Sequence, residues 1–489
     1  MPMRLAVLSD THFHHDRSAA IGIRRAGIAD ILLLRAVHRL NRFIRPDATV
    51  ILGDIVNDGA LPEAPAQFQT MRRTLDLLTM PWVVIPGNHD ADPEAFYRHF
   101  PRPPEWLDVA GVRLLSFVDP EEPRYNASRR DADVQRLRAA RNDGWRGQVV
   151  TLQHVPLFPP GAHPCPYNYL NAQAILDAMA ETGIGAAISG HYHTGFGPLR
   201  HGAIDLVAAP ALCEAPFPYL ILEIDAHGVR LERQTLAMPA ELGLVDTHVH
   251  THLAYCQENM EIGLAQALAR DFGLAGLRFT EHSGHLAFSR KRYGHTCFQG
   301  GLAEAQPAEN RMEEYLQALR RHGIAPTTWG IEVDADYRGD WIVPPDAMAA
   351  LPFCIGAVHG LQTLQRGETD EARLADDFLN VLQRFLRPPM AALAHPFRVF
   401  RRARRPTPAG LYEATLRLLK ERGVAAEINL HTNEPDPEWI RRCIEAGVPL
   451  TFGSDAHNLY EVGEFFPHLD LLRRAGFDGN PRDVLLSPA

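Results

Sequence analysis

"LVDTHVHTHLAYC", residues 244–256, sets Asp246, His248, His250 and His252 at every second position, so an extended strand turns all four to one face. That is how a strand opens a metal site. The chain has already opened one with "LSDTHFHHD" at 8–16, and "ISGHYHTG" at 188–195 closes that first set. Two openings in one chain predict two domains, each with a site of its own. At 489 residues the chain is also too long for one ordinary core.

The pattern continues outward from both openings. Before residue 237, "RLAVLSD", "ATVILGD", "WVVIPGNHD", "QVVTLQH" and "GAAISGH" each read as a buried strand ending in polar, ligand-type residues. Residues 28–43 carry the apolar spacing of an amphipathic helix, and "YLILEID" and "VRLERQTL" (219–236) a closing hairpin. "AMPAELG" (237–243) reads as a linker framed by Pro239 and Gly243. Then "GLVDTHVH", "GLRFTEH", "TWGIEVD", "CIGAVHG", "AALAHP", "AAEINLH" and "LTFGSDAH" supply seven further strand-like runs, with helical stretches between most of them. The expected division is a domain over 1–236, a linker over 237–243 and a second domain over 244–489. Both are α/β, and sites in such folds gather at the carboxyl ends of strands.

Composition narrows the function classes. A chain 46% hydrophobic and 22% charged is an ordinary globular protein rather than a disordered one. The most apolar stretch, 206–225, is interrupted by Pro210, Glu214, Pro216 and Pro218, so no membrane span is expected. The first apolar run stops at Asp10, too soon for a signal peptide. Six cysteines without a C-x-x-C pair then read as reduced thiols, and a cytoplasmic location is expected. A net charge of −10 and the lack of a long basic stripe count against a nucleic-acid partner.

The first constellation is Asp10-x-His12, Gly53-Asp54, Gly87-Asn88-His89-Asp90, His154 and Gly190-His191-x-His193. Singly, each motif is more often a turn or an incidental polar strand end; five in order, each at a strand end, are not accidents. Imidazoles, carboxylates and an amide, with no thiolate, suit a pair of divalent ions such as Mn, Fe or Zn. Such a pair, roughly 3.5–4 Å apart, lowers the pKa of water from about 16 toward 7 and supports in-line attack on phosphorus.

This order of motifs resembles the calcineurin-like metallophosphoesterases, over about residues 3–236. The resemblance implies an αββα sandwich in which Asp10, His12, Asp54 and His193 hold one metal, and Asp54 bridges to a second held by Asn88, His154 and His191. It makes His89 a catalytic group facing phosphate and leaving group, with Asp90 orienting its ring. "GDIVNDG" (53–59) is most similar to the cyclic-nucleotide and glycerophosphodiester branch, and the Pro-rich 156–170 stretch is expected to form a lid or substrate loop.

The second constellation is His248-x-His250, Glu281-His282, Glu332, His359, His395-Pro396 and Asp455-x-His457. It resembles the PHP (polymerase and histidinol phosphatase) family, whose fold is a distorted (β/α)7 barrel. The resemblance implies two or three divalent metals (Mn, Zn or Fe). His248, His250, Glu332 and Asp455 would hold the first, with Glu332 bridging to a second on His359 and His395, and His282 and His457 serving a third. The further ligand such a third site uses has no clear match here, leaving His252, Cys256 and Glu258 open. Arg401, Arg402 and Arg404, in "FRVFRRARRP", are candidate phosphate-steering residues.

Both halves point to phosphate-ester hydrolysis of a small phosphorylated substrate. The reading is a bifunctional hydrolase, a diesterase followed by a monoesterase that consumes its product. A nuclease or DNA-repair phosphoesterase is the alternative.

Overall fold

The computed structural model describes residues 2–18 and 21–486, which divide into two compact units, Met1–Ala237 and Met238–Ala489.

In the first unit, one sheet runs in the order Gly228–Thr235, Pro218–Asp225, Met3–Leu8, Ala48–Leu52, Trp82–Ile85. A second runs Phe196–His201, Ile204–Ala208, Ala186–Ser189, Gln148–Leu152, Val112–Ser116, Leu107–Val109. The sheets face each other. Alternate residues of the first, such as Leu5, Val7, Val50 and Leu52, share a buried cluster with Leu114, Val150, Leu152 and Ile188 of the second. The opposite face of the second sheet, through Leu115, Val149 and Leu206, packs on Leu137, Ile175 and Met179 of the helices Asp131–Ala139 and Ala172–Thr182. The expected 28–43 helix is α-helical over Ala29–Arg39 and finishes in a wider π turn, Leu40–Ile44. Arg39 ties it to the first sheet by donating to the Thr235 carbonyl at 2.6 Å. The hairpin forms as read, pairing Pro218–Asp225 with Gly228–Thr235.

The second unit has, among the described residues, seven parallel strands hydrogen-bonded in sequence order. They are Val245–Val249, Gly276–His282, Gly330–Asp334, Phe353–Ala357, Met390–Leu393, Ala425–Asn429 and Leu450–Gly453. First and last meet just past their ends, where Asp455 N–H donates to His248 O at 2.8 Å and Val249 bridges Ala456 in parallel. The sheet is thus a nearly closed parallel barrel, with helices such as Ile262–Asp271, Met312–Arg321 and Glu371–Phe385 in the connections. Sequential parallel strands place every carboxyl end on one rim. No helix among the described residues is long and apolar enough to cross a membrane.

Candidate metal centres

The seven residues expected as ligands in the first unit come together around Asp54. Its Oδ2 lies 3.5 Å from both His12 Nε2 and His154 Nε2. On one side His12 Nε2 is 3.2 Å from His193 Nε2, which is 3.4 Å from Asp10 Oδ1. On the other, His154 Nε2 is 3.1 Å from Asn88 Oδ1 and 3.1 Å from His191 Nδ1.

The far sides of these rings are occupied. His154 Nδ1 donates to Leu52 O at 2.6 Å, His193 Nδ1 to Glu214 at 2.5 Å, and His191 Nε2 to Tyr125 O at 3.1 Å. Each outer bond holds the proton on the outer nitrogen and leaves the inner nitrogen with a bare lone pair. Inward-facing imidazole nitrogens thus sit only 3.1–3.2 Å apart, and Asp10 Oδ1 is buried with no hydrogen-bond partner. A donor set this short of protons fits cations.

Electrostatics agree. Burial works against ionising Asp10, yet the His193 ring beside it and the His154 charge bring its carboxyl down to about 2. Burial would also depress His154, but Asp54 overrides it and lifts the ring to about 9, so in the metal-free protein this ring takes up a proton that a bound cation would displace. His12 and His191, where burial dominates, fall to about 3 and about 4 and stay neutral.

The backbone is bent to make this set. Asp10, His12, Asp54 and His191 all have positive φ, between 46° and 65°, a region non-glycine residues seldom enter without a functional reason. Gly53 (φ 92°) and Gly87 explain two motif glycines: a Cβ on the first would sit 2.5 Å from His154 Nδ1, and one on the second would run into the Asp54 carboxylate.

His89 sits beside the centre, its ring edge-on to His12 at 4.7 Å. The structure corrects the expectation for Asp90. Its carboxylate accepts from the backbone N–H groups of Ile55, Val56 and Gly87, pinning the Asp54 loop to the Asn88 loop, and it does not orient the His89 ring. That task falls to the Asn57 carbonyl, which receives His89 Nδ1–H at 2.8 Å. Burial, reinforced by the Asp54 charge, raises the Asp90 carboxyl to about 7. A cavity of about 480 Å³ opens over the centre, lined by His89, Arg24, Tyr125, Tyr167 and Tyr192. Tyr167 belongs to the Pro-rich 156–170 stretch and lays its ring 4.5 Å from His191, so that stretch forms a wall of the site.

The second unit repeats the arrangement around Glu332, which is fully buried. Its Oε1 lies 3.0 Å from His395 Nε2 and 3.6 Å from His359 Nε2. Its Oε2 lies 2.5 Å from His282 Nδ1, 3.6 Å from His248 Nε2 and 3.7 Å from His250 Nε2. Asp455 Oδ1 adds contacts of 2.9 Å to His250 Nε2 and 3.4 Å to His248 Nε2. The His457 ring is 4.3 Å from that of His250, and the ligand atoms of His250, His282 and His457 lie within 4.8 Å of one another. Glu332 Oε2 and His282 Nδ1 both lack an aligned hydrogen bond despite their proximity, as ligand atoms aimed at a common point do. His395 and Asp455 again carry positive φ, 32° and 54°.

Carboxylates hold the outer nitrogens here too. His248 Nδ1 faces Glu427 at 2.8 Å, His250 Nδ1 faces Glu281 at 3.3 Å and His359 Nδ1 faces Asp334 at 2.6 Å. Of these supports, Glu281 stood in the Glu281-His282 motif, whereas Asp334, two residues beyond Glu332 on the same strand face, was missed although its spacing could have found it. Glu427 and Glu214 are far in sequence from the rings they hold and carry no spacing signal.

Arg401, Arg402 and Arg404 are exposed, Arg401 being paired with Glu434, so the structure removes them from the centre. The arginine that reaches it is Arg398, buried, with Nη1 at 2.5 Å from Asp455 Oδ2 and Nη2 at 3.3 Å from His359 Nε2. The charge run continues along one short helix, Arg398–Arg402, and only its first turn faces inward.

The family description "Calcineurin-like phosphoesterase" matches residues 3–195. The first unit contains a calcineurin-like metallophosphoesterase domain. Among curated relatives, the glycerophosphodiester phosphodiesterase GpdQ of Enterobacter lignolyticus is 43% identical over 91 residues, 18% of this chain and 30% of that protein. The serine/threonine-protein phosphatase CPPED1 of Bos taurus is 31% identical over 227 residues, 40% of this chain and 66% of that protein. The chain thus spans less than two thirds of the length of these relatives. Among solved structures, a dimetal phosphatase from Danio rerio aligns with a TM-score of 0.42 at 15% identity, over 48% of this chain and 97% of that one. Asp10, His12, Asp54, Asn88, His154, His191 and His193 all lie within the matched phosphoesterase domain.

Proposed function

We propose that the chain is a bifunctional metal-dependent phosphoesterase. The phosphoesterase domain cleaves a small phosphodiester, and the second unit, built as a PHP-type barrel, hydrolyses the monoester released. The observation that carries the reading is shared by both units: one buried carboxylate, Asp54 or Glu332, at the meeting point of inward-facing imidazole nitrogens from separate strand ends.

In the first unit Asp10, His12, Asp54 and His193 would hold one ion, and Asp54, Asn88, His154 and His191 a second. In the other, His248, His250, Glu332 and Asp455 would hold one, and Glu332, His359 and His395 the next. When bound, such ions supply Lewis acidity and a water of lowered pKa. The remaining work belongs to side chains. His89, its Nδ1 proton committed to Asn57, passes a proton through Nε2 to the leaving alcohol oxygen. Arg24 lines the same cavity and offers a guanidinium to a phosphate oxygen. A space of about 480 Å³ suits a small diester of cyclic nucleotide, cyclic sugar phosphate or glycerophosphodiester type. In the barrel, Arg398 meets the phosphate. A monoester carries about one more negative charge than a diester near neutral pH, because its second pKa is about 6, so a buried guanidinium favours the product of the first reaction over its substrate.

Separating the two activities tests the proposal. Asp54→Asn is expected to abolish diester cleavage and spare monoester hydrolysis, and Glu332→Gln to do the reverse. With Glu332→Gln, phosphorus NMR should record a monoester growing without inorganic phosphate. Loss of both activities from either substitution, in folded protein, overturns the two-centre reading.

A further inference from the structure

The centre of the first unit opens on two cavities. Beside the one of about 480 Å³ that His89 and Arg24 line, a second of about 300 Å³ lies on the His154 side. The two have only Asn88 and Tyr125 in common among their lining residues.

Tyr125 is the divider. It stands at the tip of a short hairpin that pairs Glu121–Glu122 with Asn126–Ala127, and both Arg124 (φ 64°) and Tyr125 (φ 61°) are left-handed there. Two successive non-glycine residues in that region are costly and persist where a site needs them. The hairpin is fastened on both sides. The Tyr125 carbonyl receives His191 Nε2 at 3.1 Å, and Ala127 N–H donates to Asn168 O at 3.1 Å. The Tyr125 ring is left 55% exposed.

The smaller cavity has its own chemistry. Phe117, Pro120 and Tyr169 give it carbon walls. Asp119 is neutralised within the wall, accepting from Arg129 at 3.1 and 2.8 Å and from the Tyr169 hydroxyl at 2.6 Å. Glu121 and Arg130, both exposed at the mouth, have no side-chain partner among the described residues. His89 does not line this cavity, so an alcohol bound in it has no proton donor from that ring.

We propose, given the reading of the first unit as a diesterase, that the smaller cavity receives the ester arm that stays on phosphorus, and that this arm is a short polyhydroxylated alcohol. A phosphate at Asp54 and Asn88 lies where the cavities meet. As the oxygen of water joins phosphorus, the bond to the arm beside His89 breaks and that alcohol leaves with the His89 proton. The arm across Tyr125 keeps its bond and departs as the monoester. Its carbons lie on Phe117 and Tyr169, and its hydroxyls reach the Glu121 carboxylate and the Arg130 guanidinium. Two separated cavities select a linear diester. In a cyclic ester both ester oxygens belong to one skeleton, which cannot stand on both sides of Tyr125.

The test uses full-length, metal-loaded protein with glyceryl 4-nitrophenyl phosphate and methyl 4-nitrophenyl phosphate. Both lose the same nitrophenol, so the ratio of their kcat/KM values reads the retained arm alone. The glyceryl ester should be favoured at least about tenfold. Ala91→Trp, which fills the cavity from its half-exposed wall, and Glu121→Gln, which keeps its shape, should each bring the ratio to near one. A wild-type ratio near one, or a ratio that survives both substitutions, overturns the subsite. Diglyceryl phosphate should be cleaved faster than a cyclic nucleotide, and the reverse order overturns the linear preference. No turnover of either nitrophenyl ester, or turnover that survives Asp54→Asn, would instead overturn the diesterase reading.

Discussion

Glu427 is the residue whose replacement most sharply tests how the barrel centre is built. It is 1% exposed, and its two oxygens accept from His248 Nδ1 at 2.8 Å, from the His395 N–H at 2.7 Å and from Asn429 Nδ2 at 3.1 Å. Glu427→Gln keeps the shape and removes one acceptor. If the amide oxygen stays on His395 N–H, the NH2 group faces His248 Nδ1 and forces that nitrogen to become the acceptor. The proton then moves to Nε2, the atom that points at Glu332 and Asp455, and the lone pair needed for an ion is lost. If the amide turns over, its NH2 meets the buried His395 N–H instead, donor against donor. Either way a residue that touches no ion should weaken binding about 10–100-fold, the usual effect of removing a carboxylate behind a metal-bound histidine. That is about 1.4–2.7 kcal/mol. Isothermal titration of metal-free protein with zinc should show the loss, and saturating metal should restore most of the monoesterase rate. Unchanged affinity, or a defect that excess metal does not relieve, would refute the tautomer argument.

Other substitutions probe the remaining assignments. His89→Ala should leave metal content of the first unit intact and reduce diester turnover about 10²–10⁴-fold, checked by metal analysis alongside kcat; loss of metal would make His89 a ligand. Arg398→Met should reduce kcat/KM for monoesters about 10–100-fold, the worth of charged hydrogen bonds of about 1.5–3 kcal/mol, whereas Arg402→Met should leave it unchanged. Arg129→Met should destabilise the first unit by about 3–5 kcal/mol, because it strands the buried Asp119 that Arg129 holds at 2.8 Å; denaturant unfolding followed by hydrogen exchange in residues 1–237 measures it.

Much of the site was legible because ligands at strand ends announce themselves locally. A short apolar run followed by D-x-H, G-D or H-x-H records both the strand and the point where its backbone breaks, and the positive φ at Asp10, Asp54 and Asp455 is the structural form of that break. The seven strand-like runs of the second half were readable for the same reason, since parallel strands buried on both faces lack alternation and stand out as continuous apolar segments. Supports were harder. Asp90 reads as part of G-N-H-D, and the family resemblance implied that it orients the His89 ring; only the folded loops show its oxygens already committed to three backbone N–H groups. Glu427 and Glu214 act across 179 and 21 residues of chain, a relation no window of sequence contains.

The arginine assignment failed for a related reason, and the failure is instructive about charge runs. In "FRVFRRARRP" five arginines are equivalent by composition, but the helix that begins after Phe397 rotates about 100° per residue. It can aim only one or two of them at the rim where His395 ends its strand. Arg398 is taken first, by Asp455 and His359, and the others are carried round to water or to surface partners such as Glu434. A cation placed against Asp455 without an ion present also accounts for how so many buried carboxylates and imidazoles persist in one core. Each centre balances an unsatisfied acid with the positive charge it can reach, His154 in the first unit and Arg398 in the second, and leaves the remaining lone pairs converging on a cation. Metal binding in either centre should therefore shift the partner of that charge as well as the ligands, so that the ions and the phosphate-facing groups are loaded as one set.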